Sequence, residues 1–201
     1  RTERDALGER AVPADAYYGI QTARAMENFP ISGLRAHPAL IVATTQVKLA
    51  AAQANVALGR LSPTIGNAIA AAAREIIGGR WHEQFPVDVY QAGAGTSHNM
   101  NVNEVLANRA LELLGEPRGR YAVVHPNDHV NMGQSTNDVF PTAMRLAALA
   151  RLHSLLQALD GLESAFRERS RAFDGVMKAG RTHLQDATPI RLGQEFGGYA
   201  T

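Results

Sequence analysis

Apolar residues recur along most of the chain at three- and four-residue steps, the spacing of one face of an α-helix, and Gly or Pro closes nearly every such run. The longest run opens at Pro141 and continues through Ala143, Leu146, Leu149, Leu152, Leu156, Leu159, Leu162 and Phe166, with Gly161 as its one interior glycine. If helical to about Phe173, it has roughly 33 residues and a length of about 50 Å at 1.5 Å per residue. A compact globule of this size has a radius of gyration of roughly 16 to 17 Å, so such a helix reaches or exceeds its full diameter. Ala148 and Leu155 flank the stripe and make it wider than a two-stranded coiled-coil seam. The helix therefore needs several neighbours. Beyond Asp186 the chain has room only for the start of one, with Thr188 as N-cap and Pro189 behind it. Further partners are expected from additional sequence, other subunits, or both.

Three shorter helices precede it. Pro38 opens an Ala- and Leu-rich stretch that stops at Gly59. Ser62 and Pro63 form an N-cap and first helical position ahead of Ile65, Ile69 and Ile76, and Gly78-Gly79 ends that helix. A third runs from about Asn99 to Leu114, with Val102, Val105, Leu106, Ala110 and Leu113 on one face. By contrast, residues 1–36 carry Gly8, Pro13, Gly19, Pro30 and Gly33 with little periodicity, which predicts an extended arm and turns rather than regular structure. The expected organisation is mostly α, with an N-terminal domain over 1–138 and the truncated start of a central helical bundle over 139–201.

Composition narrows the function without naming it. The chain is 45% hydrophobic and 19% charged, with a formal charge of +1 from scattered residues of both signs. That pattern belongs to a globular protein and offers no basic stripe to nucleic acid. The absence of cysteine excludes disulfides, a thiol nucleophile and thiolate metal sites, and agrees with a reducing, cytoplasmic location. No apolar run approaches the roughly 20 residues a membrane helix requires, so no membrane partner is expected.

Three polar segments exceed what helix ends need. Gln91 to Asn99 (QAGAGTSHN) places glycines ahead of a helix start rich in donors at Thr96, Ser97 and Asn99, which can receive an anion or simply form a capped turn. His125 to Asp138 (HPNDHVNMGQSTND) sets Ser135, Thr136 and Asn137 at the positive end of the longest helix, where Asp138 alone could serve as cap. Within it His125 and His129 have metal-ligand spacing for a helix, but Pro126 and the Asn-Asp pair argue against a helix there, so no metal is expected. Gly180 to Asp186 (GRTHLQD) carries Thr182 and His183 in a loop between helices, where a histidine is either exposed or part of a site. Together these supply neutral donors, helix N-termini and one histidine, with no Ser-His-Asp constellation, nucleotide loop or paired carboxylates. Such a set suits a dicarboxylate and the extra negative charge formed when a proton leaves carbon beside a carboxylate.

GAGTSHNMNVNEVLANRALELLG, HPNDHVNMGQSTNDVFPTA and GRTHLQDATPIRLGQEF, together with the opening DALGERAVPADAYYGIQTARAMENFPISG, resemble the aspartase/fumarase superfamily along essentially the whole chain. The resemblance implies a helical N-terminal domain, a long five-helix bundle and a small C-terminal helical domain. It also implies a homotetramer with a twenty-helix core. GAGTS, QSTND and the PADAYYGIQTARAMENF arm look like aspartases, which eliminate ammonia from L-aspartate to give fumarate. His125 and VFPTAM look more like class II fumarases, while Met132-Gly133 match neither group's usual Lys and small residue.

By the same resemblance Thr96, Ser135, Thr136, Asn137, Thr182 and His183 match substrate-binding positions, with Ser97 and Asn99 beside them. Asn137 and His183 would lie near the departing amine, and His125 would match a peripheral dicarboxylate site. No cofactor is implied. The family's GSSxMPxKxN loop, whose serine is the base, is absent from these residues and is expected downstream of residue 201, so the segment alone is expected to be inactive. A class II fumarase, or an inactive structural piece that only builds an oligomer, are the alternatives.

Overall fold

A computed structural model describes residues 1–201, and it divides into two units, Arg1–Ala148 and Leu149–Thr201. The division falls inside one helix. The first unit opens with β1 (Thr2–Asp5) and β2 (Gly8–Ala11), an antiparallel hairpin, followed by α1 (Ile20–Asn28). The arm expected to lack regular structure is thus partly ordered. Its order comes from long-range partners rather than local periodicity. Arg1 donates from its guanidinium to the carbonyls of Ala16 and Tyr18, and the buried Glu3 accepts from the N–H of Ile20 at 2.8 Å.

Three helices form the core of this unit: α2 (Pro38–Ala57), α3 (Pro63–Ile77) and α4 (Thr96–Leu113). Ser62 caps α3 as its sequence predicts, accepting from the N–H of Ile65 at 3.3 Å. Gly66 lies where a Cβ would overlap Val56, so its lack of a side chain sets the close approach of α3 to α2. α4 is enclosed on nearly every side. Val102, Val105, Leu106 and Ala110 are buried as expected, but Leu113 at the helix end is exposed and Leu111 is buried instead. Burial on all faces forces polar residues inward, and each needs partners. Glu104 meets this need by accepting from the N–H groups of Gly19, Gln21 and Thr22, the unpaired donors at the start of α1.

A single wide helical turn, Pro126–Val130, follows, despite Pro126 and the Asn-Asp pair. Nδ1 of His125 makes it possible by accepting from the N–H of Asn127 and Asp128. The long helix α5 spans Thr136–Ala172, beginning before Pro141 rather than at it. Its 37 residues make it about 55 Å long. Val139 and Ala143 are buried, whereas Leu149, Leu152, Leu156, Leu159 and Leu162 are exposed. That apolar stripe is unpartnered here, in keeping with the expectation that it needs neighbours.

In the second unit α5 is followed by β3 (Met177–Thr182) and β4 (Gln185–Arg191), an antiparallel hairpin, and then α6 (Leu192–Tyr199). This corrects two expectations. Gly180 to Asp186 is a hairpin tip rather than a loop between helices, and Thr188-Pro189 lie within β4 instead of starting a helix. α6 begins at Leu192, where the side chain of Gln194 accepts from the N–H of Arg191. Phe166, Phe173, Phe196 and Tyr199 form the aromatic cluster of this unit.

Candidate functional site

In the first unit the N-termini of α4 and α5 carry the sequence-predicted donors. Gly95 stands ahead of α4 with φ of 87°, a conformation that a side chain resists, and a Cβ there would also overlap the Phe140 ring on α5. Glycine thus permits the two helix starts to approach. Gln91 secures the turn from both ends of its amide, donating to the carbonyl of Asp88 at 2.8 Å and accepting from the N–H of His98 at 2.7 Å. A cleft of about 460 Å³ opens beside them, lined by Gln91, Ala94, Gly95, Asn137 and Phe140 among others.

The donors differ in what they have left to offer. Thr96 is exposed, and its hydroxyl donates to the carbonyl of Gly93. Ser97 is half-buried on the first turn of α4. Ser135 is exposed and accepts from the N–H of Asn137 at 3.2 Å, which makes it, not Asp138, the side chain that caps α5. Asn137 is exposed and lines the cleft, and Pro141, lacking an N–H, leaves the Asn137 carbonyl without its usual helical partner. Asn99 is buried and donates from Nδ2 to Thr136 Oγ1 at 3.2 Å and, more weakly, to Asn131 Oδ1 at 3.4 Å. Because Thr136 Oγ1 accepts from Asn99, its own proton is free for another acceptor.

Behind this lies a buried polar layer that the motifs do not reveal. Lys48 of α2 is wholly buried, and Nζ donates to Asn131 Oδ1 at 2.7 Å. Burial lowers its pKa to about 7. His98 Nε2 lies 3.1 Å from Thr44 Oγ1, whose proton goes to the Leu40 carbonyl, so the imidazole must be the donor in that contact. Burial, then the neighbouring Lys48, lowers the His98 pKa to about 4, which keeps it neutral at neutral pH. The signal for Lys48 in the sequence is slight: one lysine with Thr44, Thr45, Ala51 and Ala52 at three- and four-residue steps on the same helix.

His125 and His129 do not converge. The N–H of His125 donates to Nδ1 of His129 at 2.8 Å, and Nδ1 of His125 is occupied by two backbone donors, so neither δ nitrogen is available to a metal. Thr182 and His183 belong to the second unit, where both are exposed at the β3–β4 tip. His183 and Leu184 form its two-residue turn with φ of 53° and 59°. Two successive non-glycine residues in the left-handed region are strained, and such strain collects at functional sites.

A family model described as a lyase matches residues 8–201. An aspartate ammonia-lyase from Bacillus subtilis is 56% identical over 200 residues, covering 100% of this chain and 42% of the relative. A class II fumarate hydratase from Halobacterium salinarum is 60% identical over 202 residues, covering 100% of this chain and 43% of the relative. The crystal structure of a fumarate lyase:delta crystallin from Brucella melitensis superposes with a TM-score of 0.89 at 57% identity, covering 100% of this chain and 46% of that one. The chain belongs to the aspartase/fumarase superfamily of lyases. It spans less than half the length of these relatives, which divide between two reactions.

The chain thus has a mostly helical fold shared with its solved relatives, and no helix of it is long and apolar enough to cross a membrane. Its polar helix starts present hydroxyl and amide groups but no carboxylate lines the cleft beside them. Two helix N-termini, uncharged donors and the buried Lys48 favour an anion here, with the exposed carboxylate of Asp138 on the first turn of α5 as the opposing charge.

Proposed function

We propose that the full-length protein is an aspartate ammonia-lyase and that this segment binds its substrate. The observation that carries the reading is the Asn99–Thr136 hydrogen bond, which joins two helix starts and leaves the Thr136 hydroxyl free to donate. A carboxylate of L-aspartate would accept from Thr136 and from neighbouring Ser97 and Ser135, and from Thr96 once its hydroxyl leaves the Gly93 carbonyl. Asn137, and by the resemblance alone Thr182 and His183 of the second unit, would serve the amine side. The reaction removes the C3 proton of aspartate, passes through an enediolate on the adjacent carboxylate, and then breaks the C2–N bond to release ammonia and fumarate. The serine base of the superfamily's GSSxMPxKxN loop is not among these residues, so this segment supplies binding and charge stabilisation rather than the proton acceptor. The exposed leucine stripe of α5 supports assembly of the full-length protein as a homotetramer.

Aspartase is favoured over fumarase by GAGTS, QSTND and the 13–29 arm, which resemble aspartases. A class II fumarase is the second reading, favoured by His125 and by the 60% identity to the Halobacterium enzyme. His125 holds a peripheral dicarboxylate in that reading. The deciding experiment follows fumarate absorbance in the full-length protein supplied with L-aspartate or with L-malate. Fumarate from aspartate alone supports the first reading, and fumarate from malate alone replaces it with the second.

A further inference from the structure

A buried lysine almost always has a carboxylate beside it or reaches water with its tip. Lys48 does neither. Its side chain is fully buried, no Asp or Glu forms an ion pair with it, and its hydrogen-bond partner is the neutral Asn131. His98, on which Lys48 acts, is itself pushed toward the neutral form by burial and by Lys48, so it offers no countercharge. Such a group is costly in the empty protein.

The partners of Lys48 lead in one direction. Asn131 Oδ1 receives Nζ at 2.7 Å and the Asn99 amide at 3.4 Å, and the same amide nitrogen donates to Thr136 Oγ1 at 3.2 Å. An asparagine oxygen that receives an ammonium orients its own amide, and Asn99 must then present Nδ2, not Oδ1, to that oxygen. Asn99 Oδ1 is left buried without a partner, which marks an orientation imposed from outside that side chain. With Nδ2 so fixed, Thr136 can only accept from Asn99, and its own proton is free for another acceptor.

We infer that Lys48 is a positioning residue for dicarboxylate binding: through Asn131 and Asn99 it holds the Thr136 hydroxyl as a donor, and its unpaired charge is compensated when the dianion binds. This rests on the dicarboxylate reading above and adds to it the buried group that sets the polarity of the site.

The test uses the full-length protein with succinate, a four-carbon dicarboxylate that cannot undergo elimination. In Lys48→Met, succinate should bind about tenfold to a hundredfold more weakly, the range for losing a hydrogen bond to a charged group. Thermal stability should be unchanged or higher, since a buried unpaired charge has gone; a merely structural lysine would lower both together. In a Thr136→Val background the further loss from Lys48→Met should shrink to less than about threefold, because the two act through one chain of contacts. Succinate affinity within about twofold of wild type in folded Lys48→Met, or a full loss persisting in the Thr136→Val background, overturns the inference. Should Lys48→Met fail to fold, Asn99→Leu cuts the same chain and should weaken succinate to the same degree; unchanged affinity there also overturns it. Failure of the wild-type protein to bind succinate or fumarate rejects the dicarboxylate reading and this inference with it, whereas binding by wild type and variants alike rejects this inference alone.

Discussion

Asn99 and Thr136 stand 37 positions apart in the chain, and a 3.2 Å hydrogen bond between their side chains joins the first turns of α4 and α5. The buried amide is the donor and the half-buried hydroxyl the acceptor, so the direction of the bond decides which way the threonine proton points.

That direction makes Thr136 sensitive to the loss of one atom. Thr136→Val removes the acceptor of the Asn99 amide and the donor to a bound carboxylate, at nearly constant volume. In the full-length protein, kcat/KM should fall about tenfold to a hundredfold, with the larger part in KM. Thr136→Ser keeps the oxygen and should stay within about threefold of wild type. Steady-state kinetics on both variants checks this, and equal losses in the two would show that the hydroxyl alone does not account for the role of Thr136.

Gly95 tests whether the helix starts must touch. An alanine there meets two independent obstacles, a φ of 87° and the Phe140 ring. Gly95→Ala should cost about 1–3 kcal/mol in a denaturant titration of the full-length protein. Adding Phe140→Leu should return the steric part and leave the backbone part, so a double variant as unstable as Gly95→Ala would contradict the packing account.

Gln91 holds the glycine-containing turn to α4 through hydrogen bonds at both ends of its amide. Gln91→Ala should speed hydrogen exchange at the His98 amide, whose acceptor is lost, while amides deep in α4 such as that of Leu106 keep their protection. Substrate affinity should weaken in step. Unchanged exchange at His98 would show that the turn is held by Gly95 and Phe140 without the clamp.

Much of this architecture is legible from periodicity and punctuation. Ser62-Pro63 start α3 where they should, and the leucine stripe after Pro141 identifies α5. The arm was unreadable because the order of 2–28 depends on Glu3 and Glu104 meeting backbone donors far away in sequence. The β3–β4 hairpin was hidden for a different reason. Its turn is His183-Leu184, with positive φ at both residues and no Asn-Gly or Gly-Gly pair to announce it. Polar surplus at helix starts singles out Thr96, Ser97, Asn99 and Ser135 to Asn137 in the sequence, but that the starts of α4 and α5 adjoin is seen only in the structure. Lys48 is not singled out, because α2 is apolar on most sides and its pattern does not tell which side faces inward.

Burial of Lys48 also predicts a pH dependence. Its pKa falls from 10.5 to about 7 on folding, so between those values the unfolded chain holds a proton that the folded one does not. Stability then rises with pH across that window, since the state binding more protons is the unfolded one. Below about pH 7 both states are protonated, and the penalty for the buried charge is complete. Comparing wild type with Lys48→Met removes the contribution of every other group that the variant leaves unchanged. The variant's stability advantage should be largest at pH 6 to 7 and should shrink steadily toward pH 10. Urea titrations of the full-length protein at intervals across that range measure it directly. A dicarboxylate present at saturation should flatten the difference at the acid end, because it supplies the countercharge. An advantage that stays constant with pH would mean that Lys48 keeps its ordinary proton affinity in the folded protein.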